Sequence, residues 1–387
     1  MKKGQLESHL LVLVTLALVA FGLVMVYSST SAPAALARTD PMSYLKKQGV
    51  YALIGVALMM SASRFDYRRL RLLAPALVLT ALGGCLAVLV IGSRINGARR
   101  WIELGPATFQ PSELAKLALA VWAAAYLSKR PAPRSLRELW RPIGLLLGVF
   151  CLLILAEPDL GTAISLVVVL LAVLLISGTP VPTLAAGTGI AVALGLVAIW
   201  FEPYRRARIF SFIDPWKDPQ GAGFQTVQAL ISFGSGGFLG AGLGHGVVKI
   251  NYLPEAHTDM IFAVIGEELG LLGVTAVIAA YAAFAYAGLR VALACTDPFG
   301  KRLAAGIVGL VCGQAVINLA AVLGLAPLTG IPLPFISYGG SSLVVALLGV
   351  GILLNIAGRH GAAEAKRAVP DRSRRDSGTR RAVASGR

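Results

Sequence analysis

The feature that most constrains this chain is a succession of long apolar blocks separated by short charged stretches. Each block approaches the roughly 20 residues that a helix needs to cross a bilayer. Ten candidate spans fall at about 9–28, 46–62, 72–92, 112–128, 142–156, 160–177, 183–201, 260–288, 303–324 and 338–357. Of the 387 residues, 56% are hydrophobic and only 14% charged, against about 25% charged in soluble chains. So few charges cannot solvate a soluble surface of this size. The expected fold is all-α, a polytopic integral membrane protein of about ten transmembrane helices. A cytosolic enzyme, a secreted disulfide scaffold and a disordered chain are excluded. Cys85, Cys151, Cys295 and Cys312 lie in or beside apolar blocks without metal spacing and read as packing residues. The first block follows Lys2 and Lys3, is too long for a signal peptide and lacks a small-residue cleavage site, so it reads as an anchor.

Ten spans put both termini on one side. Of 35 Lys and Arg residues, 23 fall on one set of loops and the tail, 11 on the other set, and Lys116 lies within a span. Positive residues concentrate on the cytoplasmic side, so both termini are expected there. The net charge of +16 would suggest nucleic acid in a soluble chain. Here it is read as topology-setting loops and contact with anionic membrane lipid, with no nucleic-acid partner. Residues 1–358 are expected to form one membrane domain and 359–387 a basic, disordered cytoplasmic tail. The sizeable outer loop, about 202–259, holds YRRARIF, DPWKDPQGAG and QTVQALISFGSGGFLGAGLGHG. The last run is apolar but too short and Gly-rich to cross. It is expected as a re-entrant or surface-lying half-helix, tolerated at depth only against protein or a wet cavity.

Ionisable groups within a span cost about 2.5–3.5 kcal/mol each and by default mark function. In PSELAKL, Glu113 and Lys116 are three apart and share a helix face. They form either a self-neutralising pair or the lining of a polar cavity, where Lys116 offers a cation to phosphate. In AEPDLGTA, Glu157 and Asp159 are either ordinary helix-start carboxylates or site residues. In LPEAHTDMIFAVIGEELG, Asp259 stands where the large loop enters the eighth span, beside Glu255, His257 and Thr258, with Glu267 and Glu268 deeper. A carboxylate whose pKa is lifted by burial can serve as general base; the plainer reading is a helix cap. PLPFISYGGSS, with Ser337, breaks its helix at depth and is a cavity wall or a sharp turn. Arg99 and Arg100 are expected to meet an anionic headgroup or phosphate, and Trp101 can anchor at the interface. The four His are scattered, and the glycine run lacks the dinucleotide spacing.

Cations, carboxylates and no nucleotide motif, all opening to the outer leaflet, suit a lipid-linked diphosphate sugar that carries its own leaving group. An acceptor hydroxyl, deprotonated by a carboxylate, attacks the anomeric carbon and polyprenyl diphosphate departs. No cofactor is evident; a divalent cation, magnesium or manganese, could accompany the diphosphate. The rival is a transporter of the same lipid.

The pieces NGARRWIELG, FQPSELAKL, EPDLGTA, DPWKDPQGAGFQ, SGGFLGAGLG, YLPEAHTDMIFAVIGEELG and PLPFISYGGSS, in this order, resemble the SEDS family (shape, elongation, division and sporulation) from the first span to about residue 358. DPWKDP and LPEAHTD are most similar to its FtsW branch, whereas GIPLPFISYGG is closer to the RodA branch. The resemblance implies a peptidoglycan glycosyltransferase that polymerises lipid II outside the membrane, at the division septum. It makes Asp259 the catalytic base. The substrate-binding candidates are Lys116, Glu113, Arg99, Arg100, Trp101, Glu157, Asp159, His257, Thr258 and Ser337, with no metal ligand. Some relatives carry a basic residue where this chain has Thr108, so no phosphate contact is assigned there. Implied partners are a class B penicillin-binding transpeptidase, which supplies the crosslinking, and other divisome membrane proteins. A lipid II flippase and a non-catalytic divisome scaffold are the alternatives.

Overall fold

The computed structural model describes residues 5–36, 38–95, 98–105, 107–250 and 253–368. In lipid, an apolar segment satisfies its backbone internally only as a helix or a closed barrel; here the apolar blocks are helices. The chain begins with α1 (Gln5–Leu36), α2 (Ser43–Arg64) and α3 (Leu70–Ile91). Three short strands follow, β1 (Ser93–Ile95), β2 (Ala98–Leu104) and β3 (Ala107–Phe109), then α4 (Pro111–Ser128). A single turn, α5 (Leu136–Leu139), leads to α6 (Leu145–Ala156), α7 (Leu160–Ser177) and α8 (Val181–Trp200). The outer loop contains α9 (Pro203–Ile213) and α10 (Phe224–Gly236). The chain then forms α11 (Ile261–Ala294), α12 (Pro298–Val322) and α13 (Gly340–Ala368).

Among the described residues, eight helical segments are long and apolar enough to cross a membrane, α5 and α6 counting as one. The expected spans at 46–62 and 112–128 coincide with α2 and α4, of 22 and 18 residues. These two are less apolar because α2 begins with Lys46, Lys47 and Gln48 and α4 carries Glu113 and Lys116. The tail was expected to be disordered from residue 359, but α13 continues to Ala368 through the helix-forming run AAEAKRA. Residues 369–387 lie outside the described residues.

Two apolar cores meet at α4. Leu117, Ala120, Val121 and Ala124 face the larger core, built with α1, α2, α11, α12 and α13. Ala115, Ala118, Leu119, Ala123 and Leu127 face the second, built with α3, α6 and α7. A helix buried all round must neutralise its charges internally. That is why Glu113 and Lys116 sit on one face of it.

Two loop structures close one end of the bundle. The β1–β2–β3 meander, which no sequence signal announced, is antiparallel, with Arg94 opposite Arg99 and Glu103 opposite Thr108. It is tied to the helices where Tyr51 Oη accepts from Thr108 N at 3.0 Å and Ser341 Oγ donates to Thr108 O at 3.1 Å. The second structure is α10 and the glycine run after it, consistent with a half-helix too short to cross. The run is stitched into a break in α11 at Gly270, where φ is +61° and ψ −157°. Ala241 and Gly242 N–H groups donate to Glu267 and Glu268 carbonyls at 2.9 and 3.0 Å. In return, Leu271 and Leu272 N–H groups donate to Gly237 and Phe238 carbonyls at 3.0 and 3.3 Å. A Cβ on Gly240 would lie 2.2 Å from Glu268 O, so the approach needs glycine there. Irregular backbone is thus satisfied by protein, as low-dielectric surroundings require.

Candidate active site

Asp259 lies just ahead of α11, whose N-cap is Met260 with no side-chain cap hydrogen bond. The carboxylate is therefore not spent on capping. Its Oδ1 lies 3.3 Å from the Thr258 hydroxyl, which also donates to Glu255 Oε2 at 2.9 Å. Across a small gap is Arg208, projected from α9. A Cβ on Gly330 would stand 3.9 Å from both Arg208 Nη1 and Asp259 Oδ2. Gly330, at φ +74°, is the open floor between base and cation. Arg208 is held in place by donating to Leu328 O at 3.0 Å and Tyr204 Oη at 2.6 Å, and it packs over the Tyr204 ring. Burial pushes the Asp259 carboxyl up from 3.8 to about 6, with Arg208 opposing and Glu255 reinforcing the shift.

The loop before α13 forms the adjacent wall. Tyr338 N donates to His257 O at 2.9 Å, and the rings of Tyr44, His257 and Tyr338 pack together at 4.6–5.6 Å. Burial lowers the His257 pKa, which favours the neutral imidazole. Ser337 is buried; its hydroxyl accepts from Leu333 N at 2.8 Å and its carbonyl accepts from Gln48 Nε2 at 3.0 Å. Its role in this geometry is to shape the loop.

Lys116 and Glu113 lie beneath that loop, 1% and 3% exposed, with Nζ 2.8 Å from the carboxylate. Lys116 Nζ also donates to Gln314 Oε1 at 2.6 Å. Gln314 Nε2 in turn donates to Pro332 O at 2.9 Å. One turn along α12, Asn318 Nδ2 donates to both Ile331 O and Asp259 O at 2.8 Å. Lys116 is thus linked to the Asp259 loop through α12 and does not contact the Asp259 side chain.

The remaining candidates are bonded around the β meander and the α6–α7 corner, whose Gly161 packs on Thr329 and Ile331 beside Gly330. Arg99 Nη1 donates to Leu89 O at 3.1 Å, and its Nε is buried without a partner. Arg100 Nε donates to Glu157 O at 3.1 Å and its Nη2 to Pro158 O. Trp101 is half-buried in β2. Asp159 follows the plainer reading: it caps α7, accepting from Thr162 N at 3.0 Å and Thr162 Oγ1 at 2.8 Å, and from Gln110 Nε2 at 3.3 Å. Glu157 is fully buried with neither carboxylate oxygen hydrogen-bonded. Burial, then the nearby Asp159 charge, push its carboxyl up to about 8.

Four features were missed in the sequence. Arg208 carries no signal in YRRARIF that separates it from Arg205 and Arg206. Gln314 and Asn318, four apart in an apolar span, were detectable as buried amides but are not ionisable. Finally, Lys249 Nζ lies 2.5 Å from Glu268 Oε1, and both side chains are buried. Ser28 Oγ joins that pair, and Glu267 accepts from Val247 N at 2.7 Å. The two carboxylates thereby hold the segment leading to the Asp259 loop. Among the described residues, no three His, Cys, Asp or Glu side chains cluster as metal ligands.

The profile of the family described as Cell cycle protein (FtsW, RodA, SpoVE) matches residues 8–361. The chain is 44% identical over 356 residues to a protein of Geobacter sulfurreducens named Probable peptidoglycan glycosyltransferase FtsW, covering 90% of this chain and 94% of that one. It is 39% identical over 353 residues to Stage V sporulation protein E of Bacillus subtilis, covering 90% and 96%. Among solved structures, it resembles a chain from a peptidoglycan synthase complex that coordinates polymerization and crosslinking, at 34% identity and TM-score 0.75, covering 90% and 97%. It also resembles the Rod shape determining protein RodA of Thermus thermophilus, at 31% identity and TM-score 0.66, covering 90% and 96%. The resemblance seen in the motifs extends over nearly the whole chain, in sequence and in fold, and the chain belongs to the FtsW/RodA/SpoVE family of cell cycle proteins.

Proposed function

We propose that this multi-pass membrane protein is a peptidoglycan glycosyltransferase of the FtsW type that polymerises lipid II during cell division. The observation that carries the reading is the uncommitted Asp259 carboxylate facing Arg208 across Gly330. Asp259 takes the proton of an acceptor sugar hydroxyl. The hydroxyl oxygen attacks the anomeric carbon of the donor, and the carbon–oxygen bond to diphosphate breaks. Polyprenyl diphosphate leaves with the electron pair, its negative charge met by Arg208 and the outer arginines. Thr258 and His257 border the base. A divalent cation, where one accompanies the diphosphate, would be held by the phosphate oxygens themselves.

The charge bias of the loops supports cytoplasmic termini and an active site on the outer face of the inner membrane. The similarity to a chain of a peptidoglycan synthase complex supports a class B penicillin-binding transpeptidase as partner, at the division septum with other divisome membrane proteins. The test is polymerisation of lipid II by purified protein with that partner. Asp259→Ala is expected to abolish glycan synthesis while retaining fold and partner binding. Full synthesis by this variant would refute the assignment. Headgroup transport across vesicles that survives Asp259→Ala would instead identify a flippase.

A further inference from the structure

We infer that two amides of α12, Gln314 and Asn318, are positioning residues that hold the Asp259 loop over the Lys116–Glu113 pair, so that this pair acts on the reaction through α12 without touching substrate. The inference rests on Asp259 being the base. Gln314 and Asn318 are four residues apart and so share one face of α12. Both are 2% exposed.

Their hydrogen bonds divide the work. Gln314 accepts from Lys116 Nζ at 2.6 Å and donates to Pro332 O at 2.9 Å; its Nε2 is also 3.3 Å from Ser342 Oγ. Asn318 donates from one nitrogen to Ile331 O and Asp259 O, both at 2.8 Å. Consecutive carbonyls of the loop before α13 are therefore gripped by consecutive turns of α12. The second grip is shared with the peptide of the base itself.

The orientation of the Asn318 amide is fixed chemically. Flipped, its Oδ1 would oppose two carbonyl oxygens. As oriented, Oδ1 is buried with no partner. Buried polar groups are rarely left unsatisfied; the fork of two donor bonds is retained at that cost. Lys116 has no route to substrate in this arrangement, since its ammonium is buried and directed to Glu113 and Gln314. Displacing it would move Gln314, then Pro332 and Ile331, and with them Asn318 and the Asp259 peptide.

The groups facing Asp259 are Arg208 from α9 and Glu255 and Thr258 from its own loop, while His257 packs on Tyr44 and Tyr338 and feels the Glu255 charge. Lys116 and Glu113 lie behind the amides. Asn318→Asp keeps the side-chain shape but replaces the donor with an acceptor that can carry negative charge. Asn318→Leu removes the donor and the orphaned oxygen together.

The experiment measures kcat and KM for glycan polymerisation by the full chain with its transpeptidase partner, using lipid II as the probe, from pH 5 to 8.5. A sub-ångström to ångström displacement of the base should lower kcat by about 10–100-fold. KM should stay within about twofold for either variant, because substrate binding is not removed. For Asn318→Asp the acid limb should also move to higher pH, since a nearby negative charge disfavours ionisation of Asp259. A purely structural role would lower the melting temperature while leaving kcat of the folded protein unchanged, in Asn318→Leu as in Asn318→Asp. Wild-type kcat and pH profile in a folded Asn318→Asp or Asn318→Leu protein overturns the inference, as does a raised KM with unchanged kcat. Should neither variant fold, Gln314→Leu decides on the same kinetic criteria. Asp259→Asn is measured alongside. If it stays active, the base assignment fails; if it is inactive while the amide variants match wild type, only the positioning role fails.

Discussion

The pairing of Asp259 with Arg208 makes a quantitative statement about pH. The base must be ionised to accept a proton, and burial raises its carboxyl to about 6. Polymerisation should therefore fall as pH drops through about 6. Arg208 opposes that rise, so removing its charge should move the acid limb to higher pH. Both groups lie 3.9 Å from the point where a Gly330 Cβ would stand, which places them within roughly 7–8 Å of each other. At roughly 7 Å the Coulomb energy is about 2.4 kcal/mol for an effective dielectric of about 20 and about 0.6 kcal/mol in bulk water. At about 1.36 kcal/mol per unit, the expected shift is about 0.4–1.7 pH units. Arg208→Gln should bring the limb near pH 7, whereas Arg208→Lys, which keeps the charge, should leave it close to wild type. The assay is kcat/KM for lipid II polymerisation from pH 5 to 8.5 at fixed ionic strength, because salt screens the pair. An acid limb in Arg208→Gln that stays put or moves to lower pH would refute the electrostatic coupling.

Two further outcomes concern stability. Lys249→Met leaves Glu268 charged and buried and should cost about 3–5 kcal/mol, while Lys249→Met with Glu268→Leu should recover most of it. Melting of the purified single and double variants in detergent checks this, and equal losses in both would contradict a coupled pair. Asp259→Asn should melt higher than wild type at neutral pH. The Asp259 carboxyl titrates at 3.8 when unperturbed and at about 6 in the fold, so the stability of the protonated form is lost as pH rises through this window. The advantage of Asn should close below about pH 4 and be largest above about pH 6. A difference that does not vary with pH would argue against a buried carboxyl.

The membrane architecture was legible because apolar block length is a direct physical demand of the bilayer. Even α2 and α4, less apolar than the rest, were visible as blocks between charged breaks. Asp259 was legible as a carboxylate at the entry to a span. What the sequence could not reveal was which carboxylate is committed elsewhere. Asp159 and Asp259 both precede a helix, yet Asp159 caps α7 and Asp259 caps nothing. Arg208 was hidden among neighbouring arginines, and only the fold around Gly330 singles it out. Gln314 and Asn318 escaped a search directed at ionisable groups. The β meander was invisible because β1 and β3, of three residues each, leave no periodicity to read, and the seven residues of β2, ARRWIEL, do not alternate polar with apolar.

Arg99 and Arg100, expected to meet phosphate, and Arg205 of α9 are fixed in an unexpected way. Arg99 donates to Leu89 O in the last turn of α3, and Arg100 to Glu157 O just beyond α6. Arg205 donates to Leu155 O and Ala198 O, in the last turns of α6 and α8. These are carbonyls that a helix end leaves unsatisfied, where the dipole favours cations. A carbonyl partner orders a guanidinium without cancelling its unit charge, as a carboxylate would. Lys116 and Lys249, by contrast, are each paired with a buried carboxylate. The fold thus neutralises its two lysines in the interior and keeps its arginines charged at the helix ends. It follows that neutralising Arg100 or Arg205 should loosen helix ends and weaken the attraction for diphosphate together, whereas exchanging Lys116 or Lys249 should act through the packing of the site.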